Sequence, residues 1–439
     1  MEKLWKGETD KAIRNFPISG ERVPAGVVRM LARIKAEAAL VNAELGDLDD
    51  DRARRIAAAA EAVAAGEHDD QFPIDVFQTG SGTSTNMNAN EVVATLAGPD
   101  VHPNDHVNMG QSSNDVFPTA VHLAALEALT GDLLPALGTL QRSLAAKASE
   151  FAEVVKTGRT HLMDAVPVTL GQEFAGYAAQ IAQGSERVRA TLPRLGKLPL
   201  GGTAVGTGLN AHPEFAARVR QRLAASTGLE LAPPAHPFEA QGARDALVEA
   251  SGALKTVAVS CTKIANDIRW MGSGPRAGIS ELFLPELQKG SSIMPGKVNP
   301  VLCEVLTQVS AQVIGNDAAV TVGGLSGAFE LNVYIPLMAR NLLQSTTYLA
   351  AACREFAASC VDGIVANTER ARQLVESTLV TVTALNPVVG YDEAAEIAKE
   401  AASSGRSLRE VARSRGVAAE VLDKALDLRE MARGNGFAG

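Results

Sequence analysis

The sequence predicts a mostly α-helical protein, and two observations support this. Hydrophobic residues make up 46% of the 439 positions but aromatic residues only 4%, so the core must be aliphatic and rich in alanine. Alanine and leucine lose little side-chain freedom in a helix, and this composition favours close-packed helices over sheets. Long stretches of the chain also carry hydrophobic residues at helical spacing with few helix breakers.

The pattern along the chain predicts three domains. Residues 1–110 alternate short helical patterns with polar loops, and residues 111–365 carry the long periodic stretches. Residues 366–439 change to short helices separated by turn signals such as ALNPVVGYD and SSGRS. The predicted long helices are 119–149, 168–192, 241–270, 336–366 and one that starts at 301.

The long helices are apolar over much of their circumference, as in residues 251–265 (SGALKTVAVSCTKIA) and from residue 301 onward. A helix that is hydrophobic nearly all round must be buried on every side. A single bundle of this size does not bury so much apolar surface, and neighbouring subunits could cover it. The sequence therefore predicts an oligomer.

Charge and composition exclude several classes of partner. The net charge is −9 with no long basic run, which argues against nucleic acid as a partner, although a small anion can still bind where donors converge. The start, MEKLWKGETDKAIRNF, lacks an apolar signal core, and no uninterrupted apolar stretch approaches about 20 residues, so we expect no membrane span and a cytoplasmic location. The cysteines show no CxxC pairing and are expected to be small buried hydrophobes: Cys261, Cys303, Cys353 and Cys360.

Five polar stretches interrupt the apolar background. The first, GSGTSTNMNANE (80–91), could be either a functional loop or an ordinary helix entry. The second (101–120) ends with Ser112, Ser113 and Asn114 at the head of a helical run. Hydroxyls, an amide and free backbone N–H groups at a helix N-terminus suit a carboxylate, whereas simple capping needs only one of these residues.

The third stretch is GRTHLMDAVPVTLGQEF (158–174). Thr169 and Gln172 fit a capping box, so a helix should begin there and place Thr160 and His161 on the loop before it. A lone histidine can be either structural or catalytic. The fourth stretch, LPLGGTAVGTGLN (198–210), is interpreted as a tight glycine-rich turn without chemistry of its own.

The fifth stretch is KGSSIMPGKVNP (289–300). It is not a phosphate-binding P-loop, because its glycines enclose five residues rather than four and Val298 follows Lys297 where Ser or Thr is required. Asn299 and Pro300 fit an N-cap and a first helical position, so Lys297 precedes the positive end of a helix. Glu304, about one turn inside that helix, could pair with Lys297 or orient a histidine.

These stretches resemble the ordered motifs of class II fumarase in the aspartase/fumarase superfamily. The motifs are GSGTSTNMNANE, HPNDHVNMGQSSNDVFPTA, GRTHLMDAVPVTLGQE, LGGTAVGTGLN and GSSIMPGKVNP, and the resemblance runs from about residue 4 to the C-terminus. It implies a three-domain, mostly α-helical subunit whose first domain is the N-terminal lyase domain. It also implies a homotetramer with a shared central bundle of long helices and no cofactor or metal. The active sites would combine the regions around Ser113, His161 and Ser291 from three subunits.

The resemblance implies reversible hydration of fumarate to (S)-malate through an aci-carboxylate dianion, a charge that preorganised donors must stabilise. His161 resembles the acid/base on the oxygen side, and Ser291 resembles the residue that takes the carbon-bound proton, with its alkoxide stabilised by Lys297 and backbone dipoles. Lys297 and Asn299 would hold the dianion. The other implied substrate contacts are Ser81, Gly82, Thr83, Ser112, Ser113, Asn114, Thr160, Ser292 and Val298.

The resemblance carries two further assignments. Glu304 would support catalysis, and a secondary anion site would fall on His102, Asn104 and Asp105. A basic residue often stands just before this second site in the family, whereas Gly98-Pro99-Asp100 occupies that region here.

Two alternatives share the fold. Aspartate ammonia-lyases typically carry Gln where this chain has His161 and Ala where it has Gly296, so the residues favour a fumarase. A catalytically inactive structural member would show gaps in the catalytic set, yet all its residues are present in the sequence: Thr160, His161, Ser291, Lys297 and Asn299.

Overall fold

The computed structural model describes residues 3–290 and 292–433, and helices dominate this part of the chain. The first helices are α1 (Gly7–Asn15), α2 (Ala25–Glu44), α3 (Asp50–Ala64), α4 (Thr83–Ala97), α5 (Ser113–Ala128), α6 (Leu134–Glu150), α7 (Leu170–Leu195), α8 (Phe215–Thr227), α9 (Pro237–Gly242) and α10 (Asp245–Met271). They are followed by α11 (Val301–Leu325), α12 (Ile335–Glu355), α13 (Thr368–Ser377), α14 (Asn386–Val389), α15 (Tyr391–Ser404), α16 (Leu408–Ser414), α17 (Ala419–Ala425) and α18 (Leu428–Arg433). The prediction of a mostly α-helical protein is confirmed.

In the described part of the chain, the strands are short and form three antiparallel two-stranded sheets. One sheet is a hairpin of β1 (Val155–Thr160) and β2 (Met163–Thr169). The others pair β3 (Leu282–Phe283) with β6 (Val365–Ala366), and β4 (Gly327–Ala328) with β5 (Leu331–Asn332).

The predicted long helices are present. The prediction 119–149 corresponds to a helical segment of 38 residues, Ser113–Glu150, in which one π-helical turn (Leu129–Leu133) joins α5 to α6. The predictions 168–192 and 241–270 correspond to α7 and α10, and the helix predicted from 301 is α11. The prediction 336–366 is too long, because α12 ends at Glu355 and shorter helical turns follow it.

Among the described residues, one helical segment is long and apolar enough to cross a membrane, whereas the sequence predicted none. The segment Ser113–Glu150 contains a window of mean hydropathy 1.3. Of that window, 67% is buried inside the structure, so its apolar side chains pack against other parts of the protein, as those of a core helix do.

The described chain divides into two compact units. The first comprises Met1–Ala136, Gly184–Val259 and Gln308–Ala351. Within it, α2 packs against α3, α4, α5 and α8, and α4 packs against α1, α3 and α5. Leu31 and Ile34 of α2 are fully buried, as are Ile56 of α3 and Val92 of α4, so aliphatic side chains make this core as the composition requires.

A buried carboxylate fixes the start of α1 in this unit. Glu91 of α4 accepts hydrogen bonds from the backbone N–H groups of Lys6 (2.8 Å), Glu8 (2.9 Å) and Thr9 (3.2 Å), and from Thr9 Oγ1 (2.6 Å). The first N–H groups of a helix have no partner inside it, and a carboxylate there also interacts well with the helix dipole. Glu91 thereby holds α1 against α4, the helix that begins at the last residue of the GSGT motif.

The second unit comprises Leu137–Gln183, Ser260–Thr307 and Ala352–Gly439. Its β1–β2 hairpin packs against α13 and α18, and its C-terminal helices close around a cluster that includes Leu385, Ile397 and Val411. The capping box predicted at the start of α7 is confirmed: Thr169 Oγ1 accepts from the backbone N–H of Gln172 at 3.1 Å, and Gln172 Oε1 accepts from that of Thr169 at 2.9 Å. The four cysteines are buried and free, as predicted.

Candidate active site

In the first unit, the GSGT turn lies directly against α5. Gly82, which precedes α4, has φ +77, a left-handed conformation that favours glycine. A Cβ at this position would lie 2.2 Å from the ring of Phe117, so only glycine permits this approach to α5. Ser81 Oγ and Thr83 Oγ1 are hydrogen-bonded at 2.7 Å, and Thr83 is the first residue of α4. The hydroxyls of this turn therefore lie at a helix N-terminus.

The start of α5 carries more polar groups than capping requires. Ser112 is the N-cap: its Oγ accepts from the backbone N–H of Asn114 at 3.2 Å, and its own N–H donates to Asp115 Oδ1 at 2.9 Å. Ser113 Oγ accepts from Asn86 Nδ2 of α4 at 3.0 Å. Ser112 and Asp115 thus form a capping box, which uses neither the Ser113 hydroxyl nor the Asn114 side chain.

The glycine-rich turn at 198–210 has a part in this site that the sequence did not suggest. Asp115 Oδ2 accepts from the backbone N–H groups of Gly201 (2.9 Å) and Thr203 (3.0 Å), and Asn114 Nδ2 donates to the carbonyl of Ala204 at 2.9 Å. Burial of Asp115 raises the pKa of its carboxyl, while these backbone donors lower it. The turn is fixed on the first residues of α5. The only sequence signal near this contact is that Asp115 directly follows two serines and an asparagine.

In the second unit, Thr160 and His161 lie at the tip of a β-hairpin, so the prediction of a plain loop before α7 is wrong. Thr160 ends β1, and His161 and Leu162 form the two-residue turn, with φ +56 and +61. Turns of this type usually contain Asn-Gly or similar pairs, which is why the sequence did not indicate one. Positive φ at two residues with side chains is a strained arrangement that is often found at functional sites. Both residues of the turn are exposed, as is Thr160.

A buried ion-pair network fixes the base of the hairpin. The Arg159 guanidinium donates two hydrogen bonds of 2.9 Å to the carboxylate of Glu281, whose side chain is fully buried. Lys156 of the same strand lies 2.8 Å from Glu173 and 3.4 Å from Glu281. Two strand residues on the hairpin are thereby held by carboxylates outside it, which limits movement of the histidine at the tip.

We expect Arg159→Met to destabilise the protein by about 3 kcal/mol, because it leaves a buried carboxylate with only a long contact to Lys156. Thermal unfolding of the variant measures this loss. The double variant Arg159→Met/Glu281→Gln should recover part of it, because the unpaired charge is removed. An unchanged unfolding temperature for the single variant would show that the network does not hold the hairpin.

The 289–300 loop is closed by its own backbone and by one amide side chain. Asn299 Nδ2 donates to the carbonyl of Gly290 at 2.7 Å, and a Cβ on Gly290 would lie 1.9 Å from the carbonyl oxygen of Lys297. Gly296 has φ +78. A cavity of about 680 Å³ lies beside the loop, lined by Lys297, Val298 and Asn299 and by the end of α10. Lys297 and Val298 are exposed, as is Ser292, while Ser291 lies outside the described residues.

Two predictions for the end of this loop are wrong. The helix α11 starts at Val301, and its first hydrogen bond runs from the N–H of Glu304 to the carbonyl of Pro300 at 3.1 Å. Pro300 therefore takes the capping position predicted for Asn299, whose side chain closes the loop instead. Glu304 is exposed and forms no ion pair with Lys297 within the described residues, so the predicted pairing of the two is absent.

The residues predicted for a secondary anion site lie on one π-helical turn, Pro103–Val107, and the residue before it. His102 Nδ1 accepts from the backbone N–H of Asp105 at 3.1 Å and lies 3.1 Å from its carboxylate. His102, Asn104 and Asp105 are exposed. This site remains a prediction.

Each unit thus holds part of the predicted set. The first unit joins Ser81, Gly82 and Thr83 to the start of α5 through the Phe117 contact and the Asn86–Ser113 hydrogen bond. The second contains the hairpin tip and the 289–300 loop, and no hydrogen bond among the described residues links His161 to Lys297 or Asn299. Within residues 3–290 and 292–433, no group of three or more His, Cys, Asp or Glu side chains could hold a metal ion.

Comparisons with known proteins identify the family of this chain. A family model described as Lyase matches residues 1–315, and one described as Fumarase C C-terminus matches residues 381–433. The chain is therefore a lyase. A fumarate hydratase class II of Mycobacterium tuberculosis is 59% identical over 439 residues, covering 98% of this chain and 93% of that protein. The corresponding protein of Corynebacterium glutamicum is 57% identical, with the same coverage of both chains.

Solved structures show the same relationship. A class II fumarase of Schistosoma mansoni superposes with a TM-score of 0.96 at 38% identity, covering 99% of this chain and 97% of that one. The chain belongs to the class II fumarate hydratase family.

Proposed function

We propose that this chain hydrates fumarate reversibly to (S)-malate with the donors at the two helix N-termini and with the groups on the hairpin and the 289–300 loop. The observation that carries the proposal is the surplus of donors where α4 and α5 begin. Thr83, Ser113 and Asn114 lie there, and Ser112 and Asp115 form the cap of α5 without the side chains of these residues. Such a site suits a carboxylate without needing a lysine or arginine at its surface.

The reaction itself needs a second group of donors for negative charge. Removing the C–H proton beside a carboxylate of malate leaves an aci-carboxylate group with two negative charges, and donors aimed at that charge lower the barrier most effectively when they are already in position. Lys297 and Asn299 line one cavity beside the start of α11. The amide of Asn299 is fixed by its bond to Gly290, which keeps the loop closed around Lys297.

Two proton transfers complete the scheme. His161 acts on the oxygen side, directly or through water, because an imidazole both donates and accepts protons near neutral pH. Its exposed position at a hairpin tip lets it reach a substrate held by other elements. Ser291 takes the carbon-bound proton, with its alkoxide stabilised by Lys297.

The exposed apolar side chains support an oligomer. Leu162 and Met163 at the hairpin tip are 71% and 69% exposed, Ile293 in the 289–300 loop is 82% exposed, and Phe329 is 94% exposed. Leu162, Met163 and Ile293 lie next to predicted catalytic or substrate-binding residues, and exposed apolar side chains of this size suggest that further protein covers them. A homotetramer whose active sites combine the Ser113, His161 and Ser291 regions of three subunits would bury them around the substrate.

We expect His161→Asn to lower kcat by about 100-fold, since an amide cannot transfer a proton. Asparagine is the matched substitution, because it tolerates the positive φ of this position. The pH dependence of kcat/KM distinguishes a loss of proton transfer from a structural defect. Loss of one ionisation from the profile supports the acid/base role. Unchanged activity across the pH range would remove His161 from catalysis.

The activity is tested by following fumarate in the ultraviolet, first with water alone and then with ammonium added. We expect fumarate to be consumed in water and malate to appear, with no further change when ammonium is present. Consumption that depends on ammonium would instead indicate an aspartate ammonia-lyase. No consumption under either condition would indicate an inactive member of the superfamily.

A further inference from the structure

A lysine side chain is completely buried beneath the start of α5. Lys35 of α2 has no exposed surface and is among the largest fully buried side chains of the described chain. Its Nζ donates to Asn86 Oδ1 at 2.8 Å and lies 3.4 Å from Gln111 Oε1 and 3.5 Å from Asn108 Oδ1. No carboxylate pairs with it within residues 3–290 and 292–433.

The burial of Lys35 has a cost that packing does not explain. Burial lowers the pKa of its ammonium to about 7, and only the charge of Asp115 opposes this shift. Asp115 itself is held by backbone N–H groups of Ser112, Gly201 and Thr203 rather than by the lysine. An apolar side chain of similar length would fill the same space without this penalty. A role other than stability accounts better for a lysine here.

The contacts of Lys35 determine which way the neighbouring amides face. In its ammonium form Lys35 only donates, so it holds the Oδ1 of Asn86 and turns Nδ2 of the same amide away. That Nδ2 donates to Ser113 Oγ at 3.0 Å and to Asn108 Oδ1 at 3.1 Å. The orientation of Asn108 agrees, because its Oδ1 faces both donors and its Nδ2 donates to the carbonyl of Gln111 at 3.2 Å.

The orientation of Asn86 sets the role of Ser113. A hydroxyl that accepts a hydrogen bond from an amide N–H keeps its own hydrogen for another acceptor. If Asn86 were reversed, its oxygen would take that hydrogen, and the serine would present a lone pair to any incoming anion. The observed orientation leaves the Ser113 O–H free to donate to a substrate carboxylate.

We propose that Lys35 is a positioning residue for fumarate binding, which acts through Asn86 to keep Ser113 as a hydrogen-bond donor to a substrate carboxylate. The inference rests on the proposed function, since it names the device that prepares one of its substrate contacts. Lys35 does not touch the substrate. Its effect reaches the site through the Asn86 amide and the Ser113 hydroxyl, so the effect should disappear when Ser113 is removed.

The test is a double-mutant cycle of Lys35→Met with Ser113→Ala, measured as kcat/KM and as KM for fumarate. We expect Lys35→Met to lower kcat/KM by about 10- to 100-fold, mainly through a higher KM, because one donor to a charged group is lost. The unfolding temperature should be unchanged or higher, because a buried charge has been removed. In the Ser113→Ala background the same substitution should have almost no further effect on KM.

Two more variants complete the test. Asn86→Asp keeps an acceptor for Lys35 but cannot donate to Ser113, so it should raise KM without loss of stability. Ile34→Val, a neighbouring buried change outside this network, should leave KM as in the wild type. Equal losses from Lys35→Met with and without Ser113, or a normal KM for Asn86→Asp, would overturn the inference. A wild-type protein that does not consume fumarate would instead overturn the proposed function.

Discussion

Ser291→Ala should lower kcat in both directions by about 1000-fold or more, since it removes the group that takes the carbon-bound proton. Alanine has a hydrogen in place of the hydroxyl and cannot form the alkoxide that Lys297 would stabilise. Steady-state rates with fumarate and with malate measure the loss. Exchange of the malate C–H proton with deuterated water, followed by NMR, tests the same step separately from overall turnover.

The matched comparison for this prediction is Ser292→Ala, one position along the loop. Ser292 is exposed and is proposed only as a substrate contact, so its loss should be about 10-fold. Near-normal malate turnover or proton exchange in Ser291→Ala would rule out the proton-abstraction role. Equal losses from the two substitutions would indicate that the serines share a binding role instead.

Lys297→Met should lower kcat by about 100- to 1000-fold, since a donor aimed at the developing dianion acts mainly in the transition state. A nitronate analogue of malate carries a similar dianion, and its affinity should fall far more than that of succinate. Inhibition constants for the two ligands measure this difference. Lys289→Met removes an exposed lysine from the same loop and should leave turnover unchanged. An equal loss of affinity for both ligands would indicate that Lys297 only attracts anions in general and does not act specifically on the dianion.

Much of the fold follows from the sequence, because long aliphatic helices leave a clear periodic signal. The positions of α7, α10 and α11 agree with the spacing of apolar residues, and the capping box at Thr169 and Gln172 marks the start of α7 correctly. The end of α12 was less clear, because the helical pattern continues through the turns after Glu355. Periodicity does not distinguish an α-helix from a run of shorter helical turns.

The local structure around the candidate site residues could be predicted only where it depends on neighbouring residues in the sequence. The helix N-terminus at Ser112 could be predicted, since capping depends on adjacent residues. The hairpin at His161 could not, because its turn lacks glycine and its positive φ values are imposed by the surrounding structure. The contact of Gly201 with Asp115 joins residues far apart in the chain. Lys35 looked like one of several charged residues of α2, and nothing nearby in the sequence indicates its burial.

The central claim is that one substrate is held by regions from different subunits, and complementation tests it most directly. Ser113→Ala and Ser291→Ala are co-expressed with different tags, and tetramers that carry both tags are isolated and assayed for fumarate hydration. If the two regions of each site come from different subunits, about one quarter of the sites in mixed tetramers combine two intact regions. The mixed sample should then regain about that fraction of the wild-type kcat/KM, while each variant alone keeps a much lower kcat/KM. Activity no higher than that of the separate variants would contradict the account.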